Sequence, residues 1–248
     1  MSKDSVQPGV LAAFGIRLRN TTIRRYSSRG AKRYESRRHG ARWAAEARAF
    51  EYFYQKADPR SVLDCPVGTG RWFDVYRGNG ARVHGIDISE NMLNEAAKKI
   101  SPDGRVRLER ADVLDSAKPS PLGLDYDLIV CSRFIYWLRP LELSIMLRKF
   151  HATGAPFLLA GAKVAAEKVP RKTGRASGRG WLQSLDRLRA RLYRAVVKRV
   201  YEEAALLEIF RANGWSLVER RPVVATRSMR YFYYFFARAD SAVEASRE

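Results

Sequence analysis

The pattern of apolar and polar positions divides the 248-residue chain into short apolar runs and longer helix-like segments. An apolar run of four to nine residues between polar or glycine positions predicts a strand, because a strand covered on both faces is apolar throughout. The predicted strands are 61–65, 81–88, 105–113, 125–132, 156–164, 215–223 and 230–238. Apolar residues at helical spacing predict helices over 40–56, 70–77, 90–100, 141–152 and 181–214.

The order of these elements predicts the fold class. Parallel strands need a crossover of helix length, so alternating strands and helices indicate a parallel sheet. The last two strands follow each other without a helix, which is typical of an antiparallel hairpin. We therefore expect a Rossmann-like, doubly wound α/β sheet of seven strands, mostly parallel with a C-terminal antiparallel hairpin and helices on both faces. In such a sheet, ligands bind beyond the carboxyl ends of the strands.

Charge separates a standard core from two basic flanks. The chain has 46 Lys and Arg against 26 Asp and Glu, a formal charge of +20. Residues 61–163 are nearly neutral, so the excess lies on either side of them. We expect a basic N-terminal arm or lid over 1–39, a domain over 40–238 with a basic cap insertion at about 165–200, and a tail over 239–248. Such flanks favour nucleic acid or an anionic membrane surface as partners.

The two cysteines and three histidines of the chain are too few and too scattered to predict a disulfide or a metal site. Cys65 and Cys131 lie in apolar runs and are expected to be free buried thiols, as in a reducing compartment. No apolar run reaches the roughly 18–20 residues that cross a bilayer. We expect no secretory signal, and we expect a cytoplasmic location. The Arg- and Ser-rich residues 17–33 leave an organelle transit peptide as an alternative.

Three acidic residues lie at the ends of predicted strands, namely Asp64, Asp87 and Asp112. The first begins the loop DCPVGTG, whose glycines permit a tight turn and close approach of a ligand to the backbone. A carboxylate at the second strand exit can accept hydrogen bonds from two ribose hydroxyls, and one at the third from an adenine amino group. Phe73 replaces the third glycine of a dinucleotide loop, which disfavours a nicotinamide cofactor.

These motifs resemble those of the class I S-adenosylmethionine-dependent methyltransferases. The loop DCPVGTG is similar to the family's D-x-G-x-G-x-G, GIDIS-x-x-ML to its second motif, ADV to its third and YDLIVCSRF to its fourth. The resemblance covers residues 40–163 well and 200–238 loosely. It departs at Pro66, which stands at the first glycine; the fixed φ of proline still suits an extended strand exit.

The resemblance implies S-adenosyl-L-methionine as cofactor and assigns residues to it. Asp64, Gly68 and Gly70 would hold the methionine portion, and Arg71 would neutralise a nearby carboxylate. Asp87 would contact the ribose. Ile88 and Met92 would cover the adenine ring, and Asp112 would bind its amino group. Further contacts are expected from Tyr34, Trp43, Pro66, Thr69, Ala111, Val113 and Cys131. For Ile88 and Met92, plain core packing remains an alternative. Asp112 could instead serve a helix cap or turn, and Tyr34 and Trp43 could belong to an exposed basic arm.

The segment after the fourth strand supplies the candidates for catalysis. Arg133 can fix an anionic acceptor, and Tyr136 can pack against the sulfonium or the substrate. No Asn-Pro-Pro-Tyr-like tetrapeptide follows this strand, and Cys131 lies inside it, which disfavours the mechanisms that methylate nucleic-acid bases. The first hypothesis is therefore methyl transfer to a small-molecule or glycan-like, anionic acceptor, possibly linked to a lipid. The alternatives are an RNA or DNA methyltransferase and a non-catalytic protein that binds polyanions.

Overall fold

A seven-stranded sheet organises the part of the chain that the computed structural model describes, residues 40–115, 125–166, 200–226 and 229–239. The strand order is β3-β2-β1-β4-β5-β7-β6. Strands β1 to β5 run parallel, and β7 is antiparallel to both of its neighbours. The strands are β1 (Ser61–Asp64), β2 (Arg82–Asp87), β3 (Val106–Arg110), β4 (Leu128–Cys131), β5 (Phe157–Ala165), β6 (Trp215–Ala225) and β7 (Met229–Arg238).

Helices cover both faces of the sheet, and the predicted fold class is confirmed. Those described are α1 (Ala41–Ala57), α2 (Phe73–Gly78), α3 (Glu90–Ala97), α4 (Pro140–His151) and α5 (Glu203–Arg211), with a 3₁₀ turn at Ile135–Trp137. Side chains of α1, α2 and α3 enter the apolar core on one face, and those of α4 and α5 enter the core on the other. The order reverses between β1 and β4, which places a switch point at the carboxyl ends of these two strands.

Aromatic packing fixes α1 against the sheet. Phe50 and Phe53 are fully buried. The Phe50 ring stacks on Trp72 with 3.9 Å between centroids, and the Phe53 ring stacks on Phe235 at 5.5 Å. Burial of each phenyl ring contributes about 1.5–3 kcal/mol. The middle of α1 is thereby held close to Trp72, at the end of the loop that follows β1.

The structure corrects the predicted helix over 181–214. Within the described residues the helix begins only at Glu203, because Tyr201 belongs to the sheet instead. Tyr201 bridges to Val164, its carbonyl accepts a hydrogen bond from the Ala165 amide at 2.8 Å, and its hydroxyl donates to the Leu138 carbonyl at 2.8 Å. The predicted arm, most of the cap insertion and residues 181–199 lie outside the described residues.

We expect Phe50→Ala to lower the free energy of unfolding by about 3–5 kcal/mol, because it removes a ring that stacks in the core and leaves a cavity. Leu141→Ala is the matched control, since Leu141 is 67% exposed on α4, and its effect should stay within about 0.5 kcal/mol. Urea unfolding followed by tryptophan fluorescence measures both changes. Equal losses in the two variants would show that the stack with Trp72 does not hold α1.

Candidate functional site

A crevice opens at the switch point, beyond the carboxyl ends of β1, β2 and β4. About 930 Å³ of empty space lies inside it, a volume that includes the open solvent at its mouth. Most of the residues predicted to bind a ligand lie on its wall. These are Asp64, Pro66, Gly68, Thr69, Arg71, Asp87, Ile88, Met92, Ala111, Asp112, Val113 and Arg133. The three carboxylates that follow the first three strands therefore meet in one place.

Four predicted residues do not lie on the crevice wall, and Tyr34 falls outside the described residues. Cys131 is fully buried in the core between the sheet and α4. Tyr136 is buried in the 3₁₀ turn, with the Lys163 ammonium 4.2 Å from its ring centroid. Trp43 lies behind Arg71, whose guanidinium carbon is 4.2 Å from its ring centroid. Gly70 supports the loop without reaching the crevice.

The two glycines of the loop, Gly68 and Gly70, are required for different structural reasons. Both have a positive φ, 58° at Gly68 and 66° at Gly70, which glycine adopts without strain. A Cβ on Gly70 would lie 2.5 Å from the Phe73 ring, so this position is closed to any side chain. A Cβ on Gly68 would meet no atom within 4 Å. Since Gly68 lines the crevice, the bare backbone there leaves open space next to its amide.

Asp87 connects the glycine loop with the exit of β2. Its carboxylate accepts hydrogen bonds from the Gly68 amide at 3.0 Å and from the Ser89 amide at 2.8 Å. Burial raises the pKa of Asp87 from 3.8 to about 6, and the backbone hydrogen bonds offset only part of that rise. The group is therefore ionised at neutral pH but carries a desolvation cost. Ser89 also caps α3 by accepting a hydrogen bond from the Met92 amide.

The other two carboxylates are fixed by neighbouring donors. Asp64 is buried and accepts a hydrogen bond of 3.0 Å from the Tyr76 hydroxyl. Burial raises the pKa of Tyr76, so that its phenol stays protonated and can only donate to this carboxylate. Asp112 accepts a hydrogen bond from the Leu114 amide at 2.9 Å, which shapes the turn after β3. The acidic side of the crevice is thus set before any ligand binds.

Glu46 of α1 is a residue of the site that the sequence analysis missed. It is fully buried and forms ion pairs with two arginines of the crevice wall. Arg133 donates from Nε at 2.9 Å and from Nη2 at 2.6 Å, and Arg71 donates from Nη2 at 3.2 Å. The signal was available, because a carboxylate three residues after Trp43 and four before Phe50 lies on the apolar face of α1.

Aromatic rings support this part of the wall from behind. Trp43 stacks on Trp72 with 5.5 Å between centroids and 10° between planes. The Trp72 indole donates to the Ser132 hydroxyl at 3.1 Å, and that hydroxyl lies 3.0 Å from the hydroxyl of Tyr233. These contacts join α1, the glycine loop, the exit of β4 and β7, so the arginine side of the crevice is rigid.

In the ranges covered by the structure, no group of three or more His, Cys, Asp or Glu side chains is placed to hold a metal ion. No helix among those ranges is both long and apolar enough to span a membrane.

The comparisons with known proteins agree with this geometry. Residues 62–156 match a family model described as a methyltransferase domain. The malonyl-[acyl-carrier protein] O-methyltransferase of Halalkalibacterium halodurans is 28% identical over 138 residues, which cover 52% of this chain and 50% of that protein. The chain thus matches only half the length of this relative.

Solved methyltransferase structures share the fold. The magnesium protoporphyrin IX methyltransferase of Synechocystis, with bound S-adenosylhomocysteine, has a TM-score of 0.63 and 17% identity, covering 89% of this chain and 99% of that one. The 1,6-didemethyltoxoflavin-N1-methyltransferase of Burkholderia thailandensis has a TM-score of 0.60 and 19% identity, covering 97% and 94%. At these identities the likeness shows the fold alone.

The raised pKa of Asp87 predicts how stability depends on pH. Between pH 4 and 6 the folded chain holds a proton on Asp87 that the unfolded chain has lost, so the free energy of unfolding falls as pH rises through this range. Relative to Asp87→Asn, the wild type should lose about 2.5 kcal/mol between pH 4 and pH 7. Urea titrations of both proteins at several pH values measure the difference. A difference that is independent of pH would contradict the burial of an ionisable carboxyl here.

Proposed function

We propose, from the premise that residues 62–156 form a class I methyltransferase domain, that this chain is an S-adenosylmethionine-dependent methyltransferase acting on a small-molecule acceptor. The observation that carries the proposal is the convergence of Asp64, Asp87 and Asp112 with the bare backbone of Gly68 in one crevice. Because the curated relative is matched over half of its length, the activity is inferred for the chain from its own site.

The residues of the crevice fit the proposed donor. S-adenosylmethionine supplies a methyl group on a sulfonium, together with an ammonium, a carboxylate, a ribose and an adenine. Acidic and cationic side chains lie on the same wall, which suits a zwitterionic amino-acid end. Asp87 is in place to accept hydrogen bonds from the ribose hydroxyls, and Asp64 to receive the ammonium. We assign the adenine to Ile88, Met92, Ala111, Asp112 and Val113, and the remaining loop contacts to Pro66 and Thr69.

The chain contributes mainly by orientation. Methyl transfer is a direct displacement, in which the protein aligns two reacting groups, and alignment alone lowers a barrier by several kcal/mol. Trp72, Phe134 and Trp137 line the crevice beside the arginines and give this side of it an apolar surface. Arg133 pairs with Glu46 through Nε and Nη2, and its proposed contact with an acceptor is at the crevice wall, which it lines. Tyr136 acts at most through its neighbours, since it does not line the crevice.

We infer further that the acceptor is anionic, with glycan-like and lipid-linked molecules among the candidates. The support is the cationic edge formed by Arg71 and Arg133 and the basic flanks of the sequence. The curated relative is named for a substrate joined to a carrier protein, and the structural neighbours for small-molecule substrates. We place the enzyme in the cytoplasm, in keeping with two free, buried cysteines.

A second candidate is a methyltransferase of nucleic acid, or a non-catalytic protein that binds polyanions, and the +20 charge is the observation in its favour. Binding of fluorescent RNA at several salt concentrations separates it from the first. A steep loss of affinity with salt would indicate many phosphate contacts, whereas weak, shallow binding is expected for a small-molecule enzyme.

Replacement of Asp87 should remove most of the donor affinity. We expect Asp87→Ala to weaken the binding of S-adenosylhomocysteine about 100-fold, because hydrogen bonds to a charged acceptor are worth about 1.5–3 kcal/mol each. Isothermal calorimetry at pH 7.5 measures the change. Glu51→Ala, on the exposed face of α1, is the control. An affinity within twofold of wild type would remove Asp87 from the proposed site, and absence of binding by wild type would favour the non-catalytic alternative.

A methyl group on Gly68 should block the donor without unfolding the chain. Gly104 is a matched control, because its φ of 68° and its open surroundings are the same, but it lies away from the crevice. Both alanine variants should lose about 1–2 kcal/mol of stability from the positive φ. Only Gly68→Ala should also lose S-adenosylhomocysteine affinity, by about tenfold or more. If both variants bind equally well, the ligand does not approach the Gly68 backbone.

A further inference from the structure

Glu46 joins α1 to the crevice wall through two ion pairs. Its side chain is fully buried, and its two oxygens receive both Arg71 and Arg133. The pair with Arg133 is bidentate, at 2.9 and 2.6 Å, and it fixes the direction of that guanidinium. One carboxylate therefore holds two cations, which come from two different strand exits.

The N–H groups of Arg71 are not all satisfied by this arrangement. Its side chain is only 8% exposed, and among the described residues its Nε and Nη1 atoms make no hydrogen bond. Nη1 lies 3.2 Å from Glu46 Oε1, close enough for an ion pair but without hydrogen-bond geometry. Buried charged donors without an acceptor are costly. A ligand that offers them an acceptor would remove that cost.

The chemistry of this wall selects the ligand group. A guanidinium presents its N–H groups in a plane and pairs best with a planar anion such as a carboxylate. Two guanidiniums against one carboxylate leave one positive charge, which a single carboxylate would balance. Arg71 directly follows the glycine loop, and the acid Asp64 lies on the same crevice wall. An ammonium and a carboxylate on one ligand would thus each find an opposite charge.

We propose that Glu46 is a positioning residue, which holds Arg71 and Arg133 so that the remaining N–H groups of Arg71 bind one carboxylate of a ligand in the crevice. The inference rests on the proposed function. The carboxylate belongs either to the amino-acid end of the methyl donor or to the acceptor. Glutamate has the length to reach both arginines from α1. Aspartate at this position keeps the charge but is one methylene shorter, so it cannot hold both.

The test compares two ligands that differ in one group, S-adenosylhomocysteine and its decarboxylated analogue, which keeps the ammonium. If the carboxylate is that of the donor, wild type should prefer the first, and Glu46→Asp should reduce this preference about tenfold. The matched control is Glu51→Asp, an exposed glutamate of the same helix. Calorimetry gives the preference, and thermal unfolding is recorded alongside. A merely structural role would lower the melting temperature and leave unchanged both this preference and the affinity for a free carboxylate probe. Should Glu46→Asp not fold, Arg71→Lys keeps the charge, loses the planar fork, and must show the same reduction.

A second arm identifies the source of the carboxylate, with benzoate as the probe. If the site reads the donor, benzoate should bind beside the decarboxylated analogue and be displaced by S-adenosylhomocysteine. If it reads the acceptor, benzoate should bind beside both. In either case Glu46→Asp should weaken benzoate about tenfold, and an unchanged benzoate affinity with an unchanged ligand preference overturns the inference. Failure of both adenosyl compounds to bind wild type would refute the proposed function instead, and benzoate binding to the free protein would then decide the role of Glu46.

Discussion

The site depends on a constraint of parallel sheets, which is that all their strands end at the same edge. Residues far apart in sequence are brought together there without any contact having to form between their side chains first. The hydrogen bond from the Gly68 amide to Asp87 is the clearest result, since it ties the loop after one strand to the exit of the next. Burial of that carboxylate is unfavourable, and it is offset by the apolar cores on either side of the sheet, which are large and rich in aromatic rings.

Strand exits were predictable because strand periodicity and the acids that follow each strand are local signals. The positions of Asp64, Asp87 and Asp112 relative to β1, β2 and β3 follow from the order of the chain alone. Side-chain direction beyond the strand end is not local. Cys131 and Arg133 are two residues apart, yet one is in the core and the other on the crevice wall, because the chain turns sharply at Arg133, whose φ is 58°.

Contacts between α1 and the sheet were harder to predict for the same reason. The apolar face of α1 indicated that the helix packs against the sheet, but it did not indicate against which strands. The position that α1 takes on the sheet is what brings Glu46 to Arg71 and Arg133. The helix predicted over 181–214 was wrong at Tyr201 because a pairing with β5 outweighs helical propensity there. Propensity is a weak preference that tertiary contacts override. Both cases involve partners more than 20 residues away in sequence.

The bridge between Val164 and Tyr201 also brings two distant points of the chain side by side. Strand β5 ends at Ala165, and the chain is again beside this strand at Tyr201, where the Ala165 amide donates to the Tyr201 carbonyl. The ends of this excursion are therefore closed by the sheet itself, and closing a longer or shorter segment adds little further entropic cost. We therefore expect segments of different length between these two points to leave the sheet and the crevice intact. This is a route by which one scaffold can acquire new acceptors.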